Sequence, residues 1–593
     1  SVGLDNYVWA FSDKVMQVTI RNQFIWLIGV VTLVIMIGLI VAYVSDKLQK
    51  GEAVFKSIIF LPMAISGVGS SAIFKFIYAY RPPPLTQIGF LNGLRVTGGT
   101  DDNGNPCKNN IIENGSKIDY VNDGCTQPIG WLQQRDLTKF TSFENVTPDD
   151  SFLSWLVNFP LNTVLLMIIM VWMYTGFAMI VFSAAIKAVP SEITEAGRID
   201  GASEARIFLS VIMPYVKSTI VVVATYLTVT VLKAYDIVFV TTRGDFETNL
   251  LAVKMMDEFS KFLHFGRAST VSILIFISVV PIIVLNVLEI RKMKLYDVSQ
   301  KWYDKPISKL ILITISLTWM FPYIGFLLSS FREPDAIKQA AWWTSIFSGQ
   351  IFSEFTFDNY TEILFAEDLS RSFFNSFAVV IPSTIIPITI AAFAAYAFAF
   401  IDFKGKDLAF LFVIGMMIVP LQMSLIPLVS IMNKGAILFG LPIIPELKIT
   451  GTFVSVWFAH TGFGLPLATF LLRDFMMGLP RSVIESAKID GASHLTTFYR
   501  LALPLSIAGV AAFATFQFLW VYNDFLVANV FLGINPRNQV ITSHVAQLTV
   551  GNYGEAWHLR TAGAVVSMVV PLIVFFSLQR FFIRGLIGGA VKG

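Results

Sequence analysis

Only 14% of the 593 residues are Asp, Glu, Lys or Arg, so charged side chains inside apolar stretches are the first candidates for chemistry. Lys233 and Asp236 close an apolar run that begins near 218, with Tyr235 between them. Asp524 closes a comparable run beside Trp520 and Asn523. A charge in hydrocarbon is costly, so such groups usually hold an ion or polar solute. The alternative is that they have reached the interface, where they snorkel or pair. His264, His460, His494, His544 and His558 show no metal-ligand spacing. No G-x-x-x-x-G-K-[ST] stretch is present, so the chain lacks a phosphate-cradling loop of its own. These residues could bind a solute; nothing in their pattern reads as an enzyme's catalytic centre.

The elements that position them are apolar. The chain is 55% hydrophobic and 14% aromatic, with 53 Phe, 12 Trp and 19 Met, and its mean hydropathy is +0.67. Soluble domains carry about 25% charge, so the composition predicts an all-α polytopic membrane protein. It excludes a disordered chain and a disulfide scaffold. The net charge of +3 gives no basis for nucleic-acid binding.

Crossing a hydrocarbon core of ~30 Å takes about 20 apolar residues as helix. About eleven stretches qualify: 23–45, 57–80, 152–184, 218–238, 270–290, 310–330, 373–401, 408–431, 453–472, 506–525 and 561–579. Alternate connections (46–56, 185–217, 291–309, 402–407, 473–505 and 580–593) hold about half of the 43 basic residues. The remaining connections are about twice as long and hold the other half, so the dense set is expected in the cytoplasm. Residue 1 then falls outside with no span or signal before it. The expectation is that one N-terminal helix is missing from this sequence, giving twelve spans in the full chain.

Self-comparison exposes a repeat. Residues 190–214 read PSEITEAGRIDGASEARIFLSVIMP, and residues 480–504 read PRSVIESAKIDGASHLTTFYRLALP. At an offset of 290, Pro190, Glu195, Asp200-Gly201-Ala202-Ser203, Phe208 and Pro214 match Pro480, Glu485, Asp490-Gly491-Ala492-Ser493, Phe498 and Pro504. Asp5-Asn6-Tyr7 with Asn22 recurs as Asp358-Asn359-Tyr360 with Asn375 at an offset of 353. The difference of 63 is a net insertion, which segment 83–151 accounts for. Six spans separate the two motifs, so both lie on one face and the repeat is parallel. Proline suits the first turn of a helix, and Gly201 and Gly491 suit a turn needing positive φ. Each copy therefore reads as a polar helix–turn–helix along the cytoplasmic surface, with small residues that allow another protein to approach closely. The plainer alternative is a structural hairpin between spans.

These residues resemble the E-A-A–x3–G signature of ABC importer permeases: Glu195-Ala196-Gly197 with Gly201, and Glu485-Ser486-Ala487 with Gly491. Gly197 and Ser486 depart from the pattern but remain small. Residues 1–300 look like the larger membrane subunit of maltose-type carbohydrate importers, with an external loop domain at 83–151. Residues 301–593 look like the smaller subunit, supported by Ser330-Phe331-Arg332, the run Trp520–Phe525 and the tail from Gln579 to Gly593.

The resemblance implies that Glu195, Ala196, Gly197, Asp200, Gly201, Glu485, Ser486, Ala487, Asp490 and Gly491 form two coupling helices. These would dock on two separate ABC ATPase subunits, which carry ATP and Mg while this chain binds no cofactor or metal. It also implies an extracytoplasmic solute-binding protein, alternating access, and location in a bacterial cytoplasmic (inner) membrane among lipid. Trp172 and Phe177, with Tyr174 between them, fall where the larger subunit places sugar-contacting aromatics. Aromatic faces suit a pyranose ring, although the same spacing fits an ordinary packing stripe. The implied cargo is a disaccharide or short glucoside. An ABC importer of another polar solute, such as glycerol phosphate, is an alternative; so is a secondary transporter or channel without ATPase. Cys107 and Cys125 lie in the external segment, whose compartment permits a disulfide across 17 intervening residues. Two free thiols are the other possibility.

Overall fold

The computed structural model describes residues 4–48, 51–81, 87–97, 107–108, 111–112, 128, 130–132, 160–290, 306–419, 421–438, 441–533, 535–550 and 556–591. Most of 83–151 lies outside these, Cys125 included, so the Cys107–Cys125 pairing falls outside the described residues. Among those described, the secondary structure is helical apart from two short antiparallel ribbons, Cys107–Lys108 with Ile111–Ile112 and Ala436–Leu438 with Leu441–Ile444.

Among the described residues six helices are each long and apolar enough to span a membrane: Lys14–Ser45, Leu161–Lys187, Lys309–Ser330, Leu369–Phe400, Phe453–Met477 and Trp557–Ser577. Four further pairs pass together but are sharply bent, which brings the number to ten if each pair is one span. The remaining expected stretch, 270–290, lies in the helix Phe265–Ile290. The deepest bends are 98° between Glu52–Ala64 and Gly67–Ile77, and 102° between Lys406–Met417 and Leu421–Lys434. At the first, Ile65 is extended and the Ser66 hydroxyl accepts from Gly69 N at 3.0 Å, starting a new helix.

Packing divides the chain into two compact units. One comprises Ser1–Val271, Glu289–Ser370 and His544–Met568; the other comprises Ser272–Leu288, Arg371–Ser543 and Val569–Gly593. In the first, Leu161–Lys187 is apolar on all sides and 78% of its apolar window is buried, as befits a central helix. Small residues let its neighbours approach. A Cβ on Gly38 would lie 2.8 Å from that of Ala178, and one on Gly176 would collide with the Ile59–Phe60 backbone. In the second unit, Ala391, Ala392, Ala395, Ala468 and Leu472 form a close-packed core with Phe498 and Phe513.

The repeat persists in hydrogen bonds. Asn22 Nδ2 donates to the carbonyls of Glu247 and Asn249, and Asn375 Nδ2 donates to those of Arg537 and Gln539. Gln23 Oε1 accepts from Leu251 N, as Ser376 Oγ accepts from Ile541 N. Every pair keeps the offsets 353 and 290.

Candidate functional site

The two motifs fold into hairpins with matching backbones. In the first, Ser191–Ile199 ends at Asp200 (φ −72, ψ 3); in the second, Arg481–Ile489 ends at Asp490 (φ −72, ψ 3). Gly201 and Gly491 both take φ +77, the left-handed region where L side chains are strained. Each turn closes with paired bonds: Ala202 N to Gly197 O at 3.0 Å, and Ala492 N to Ala487 O at 2.9 Å. Ser203 and Ser493 then cap the next helix. The small third position has a packing reason. A Cβ on Gly197 would meet Ile207 at 3.4 Å, ordinary contact distance, and Ala487 fills the equivalent place buried.

Glu195, Ala196, Asp200 and Gly201 are exposed, as are Glu485, Ser486, Asp490 and Gly491. Beside them Ile199 and Ile489 are 86% and 85% exposed. Each hairpin thus presents acidic, small and apolar groups together.

The anchors differ. In the first hairpin the Glu204 carboxylate accepts from Lys47 Nζ at 2.9 Å, Arg198 Nε at 3.0 Å and the Tyr43 hydroxyl at 2.8 Å. Partial burial pushes this carboxyl up, but the three donors outweigh it and hold it well below the usual range. Close by, burial raises the Asp46 carboxyl against the pull of Lys56. In the second hairpin His494 takes the place of Glu204, with Nδ1 at 3.3 Å from the Tyr396 hydroxyl. One ring contact is shared, Tyr43–Phe208 at 4.8 Å and Tyr396–Phe498 at 5.5 Å. No local pattern marks Tyr43, Lys47, Glu204 or Tyr396, although the offsets 353 and 290 align Tyr43 with Tyr396 and Glu204 with His494.

The candidate solute residues fall in both units, Trp172, Tyr174, Phe177, Lys233, Tyr235 and Asp236 in the first and Trp520, Asn523 and Asp524 in the second. Trp172 is buried, meets Phe74 edge-on, and donates its Nε1–H to Trp319 O at 2.9 Å. Tyr174 and Phe177 instead meet Tyr226, with ring centroids 6.4 and 4.5 Å away. Lys233 ends the helix Met213–Leu232, and buried Tyr235 stacks on Phe239 at 5.0 Å. Asp236 opens Asp236–Thr241 and lies against Gly67 at the start of Gly67–Ile77. In the second unit Trp520 packs edge-on against His460 at 5.4 Å. Asp524 Oδ2 accepts from Ala528 N at 3.0 Å and lies 3.7 Å from His460 Nε2. Asn523 is the last residue of Ile507–Asn523. Among the described residues no group of three or more His, Cys, Asp or Glu could hold a metal ion.

Residues 34–294 and again 387–588 match the family described as "Binding-protein-dependent transport system inner membrane component". The chain is 43% identical over 294 residues to the osmoprotective compounds uptake permease protein GgtD of Synechocystis, covering 50% of this chain and 94% of that one. It is 51% identical over 239 residues to the alpha-glucoside transport system permease protein AglG of Rhizobium meliloti, covering 40% of this chain and 61% of that one. It is 38% identical over 286 residues to GgtC of Synechocystis, named as GgtD is, covering 48% and 84%.

Proposed function

Since the chain belongs to the family of binding-protein-dependent transport system inner membrane components, matched twice along its length, we propose that it is both permease halves of an ATP-driven carbohydrate importer. It is a multi-pass inner-membrane ABC importer permease, and its relatives are transport permeases. The halves are 1–300 and 301–593, and the cargo is a disaccharide or short glucoside. One relative is an alpha-glucoside permease, and Trp172, Tyr174 and Phe177 supply aromatic faces suited to a sugar ring. Lys233, Tyr235 and Asp236 in one half, and Trp520, Asn523 and Asp524 in the other, supply polar and aromatic groups near helix ends.

The observation that carries the reading is the duplicate hairpin. Two copies with the same φ and ψ at Asp200 and Asp490, and the same exposed face, give two equivalent docking points. Two ABC ATPase subunits would sit there, holding ATP and Mg, and a solute-binding protein would deliver sugar from outside. ATP-driven closure would move both hairpins and alternate the access of the solute path.

The test is reconstitution of the chain in liposomes with and without ATPase subunits and binding protein, followed by uptake of labelled maltose and other α-glucosides. ATP-dependent uptake requiring all components is expected. Uptake driven by an ion gradient alone would overturn the importer reading, and ATP-driven uptake of glycerol phosphate but of no sugar would overturn the cargo.

A further inference from the structure

The spanning helix Leu369–Phe400 carries two internal prolines, Pro382 and Pro387. A proline has no N–H, so each leaves the carbonyl four residues earlier without its helical donor. Those carbonyls are Ala378 O and Ser383 O, and both are taken by side chains. Trp457 Nε1 donates to Ala378 O at 2.9 Å, and Gln517 Nε2 donates to Ser383 O at 3.1 Å. In hydrocarbon no water would replace either donor. Gln517 is fully buried, and a Cβ on Gly464 would lie 2.7 Å from its amide, so the glycine makes room for it.

In the repeat the prolines and the donors come together. At the offset of 353 the first half has Gly29 and Val34 for Pro382 and Pro387; at 290 it has Met167 for Trp457 and Leu227 for Gln517. Its helix Lys14–Ser45 therefore keeps a backbone N–H at both points, and neither partner side chain can donate. In the second half the helix is tied on each side of the interruption. On one side Asn375 donates to the carbonyls of Arg537 and Gln539. On the other, Ala391, Ala395 and Tyr396 share a core with Ile484 and Phe498 of the second hairpin. The two donors sit on the helices that flank that hairpin: Phe453–Met477 runs into it, and Ile507–Asn523 leads out of it.

We propose that the second half bends at 378–387 as access alternates, and that Trp457 and Gln517 are positioning residues that hold the bend and pass the hairpin's movement to it. A side-chain bond to a freed carbonyl can break and re-form while the main-chain ladder above and below stays intact. The matching helix of the first half has no proline at which to do so. A hairpin that moves while the Asn375 end stays tied must be accommodated between the two, which is where both prolines lie. The assignment rests on the importer reading and places a movable joint in one half.

The test copies the first half. Gln517→Leu combined with Pro387→Val gives Ser383 O a main-chain donor again, so the melting temperature of the purified protein should hold or rise. In the complete reconstituted system, labelled maltose moved per ATP hydrolysed should nevertheless fall on the order of threefold to tenfold. Trp457→Phe combined with Pro382→Ala repeats the design at the half-buried Trp457 and should lower the ratio as well. An unchanged ratio in both pairs means that the bonds only mend the helix, and overturns the assignment. A lower melting temperature in both, with uptake and hydrolysis falling together, overturns it in favour of a structural role. If the unaltered system carries glycerol phosphate and no sugar, the ratio is read with glycerol phosphate, because the joint does not depend on the cargo. If it carries neither on ATP, the importer reading fails and the assignment falls with it.

Discussion

The two hairpins share a backbone and differ in what holds them. Asp200 and Asp490 have the same φ and ψ, Gly201 and Gly491 the same positive φ, and both turns close on the same pattern of backbone bonds. In the first half, however, the following helix is tied down by a carboxylate with three donors around Glu204. In the second it is tied down by His494 on Tyr396, over the stacked rings Phe393 and Phe498 at 4.6 Å. Turn chemistry therefore sets the presented shape, while the anchor beneath it is free to vary. The ionic anchor at Glu204 responds to pH and salt.

The largest effect should come from the shared part. Gly201→Val and Gly491→Val each force a β-branched residue into positive φ, at a cost of about 1–3 kcal/mol. A Cβ at either position would meet nothing within 4 Å beyond its chain neighbours, so backbone strain dominates the penalty and should be equal. Thermal unfolding of the two variants checks this, together with co-purification of the ATPase subunits. A large inequality would break the backbone equivalence.

Next is Glu204→Gln, which leaves Lys47 and Arg198 without their carboxylate. Faster amide exchange should appear across 190–214 and not across 480–504, with a loss on the order of 0.5–1.5 kcal/mol. Equal loosening of both hairpins would mean that the anchors are not independent.

Acid should imitate that variant. Glu204 has a native value held below its ordinary 4.5, so its stabilisation is complete above 4.5 and disappears as pH falls through the lower native value. Exchange across 190–214 is therefore expected to rise only as the pH drops below about 4.5. The smallest effect belongs to Tyr396→Phe, which removes the hydroxyl's 3.3 Å bond to His494 and its bond with Thr497 and should cost about 0.5 kcal/mol.

Much of this architecture is legible in the chain because apolar runs and duplicated motifs are local signals. Each of the eleven stretches meets helix, and the glycine turns follow from Asp-Gly at fixed offsets. The bends near 65 and 419 are less legible, because a 98° turn depends on where a new cap forms rather than on hydropathy. The anchors were hidden for another reason. Tyr43 and Glu204 are 161 residues apart, and only the fold brings them together. The aromatic run at 172–177 reads as one cluster, yet helical rotation sends Trp172 towards Phe74 and Phe177 towards Tyr226.

Both hairpins are proposed as docking elements for the ATPase subunits. The direct measurement is site-specific photocrosslinking from Ile199→Cys and Ile489→Cys, the most exposed apolar residues of the two motifs, after replacing both native cysteines by serine. Each position, tested alone, should crosslink to an ATPase subunit in the assembled complex. Crosslinks to lipid or to this chain only, from either position, would contradict it.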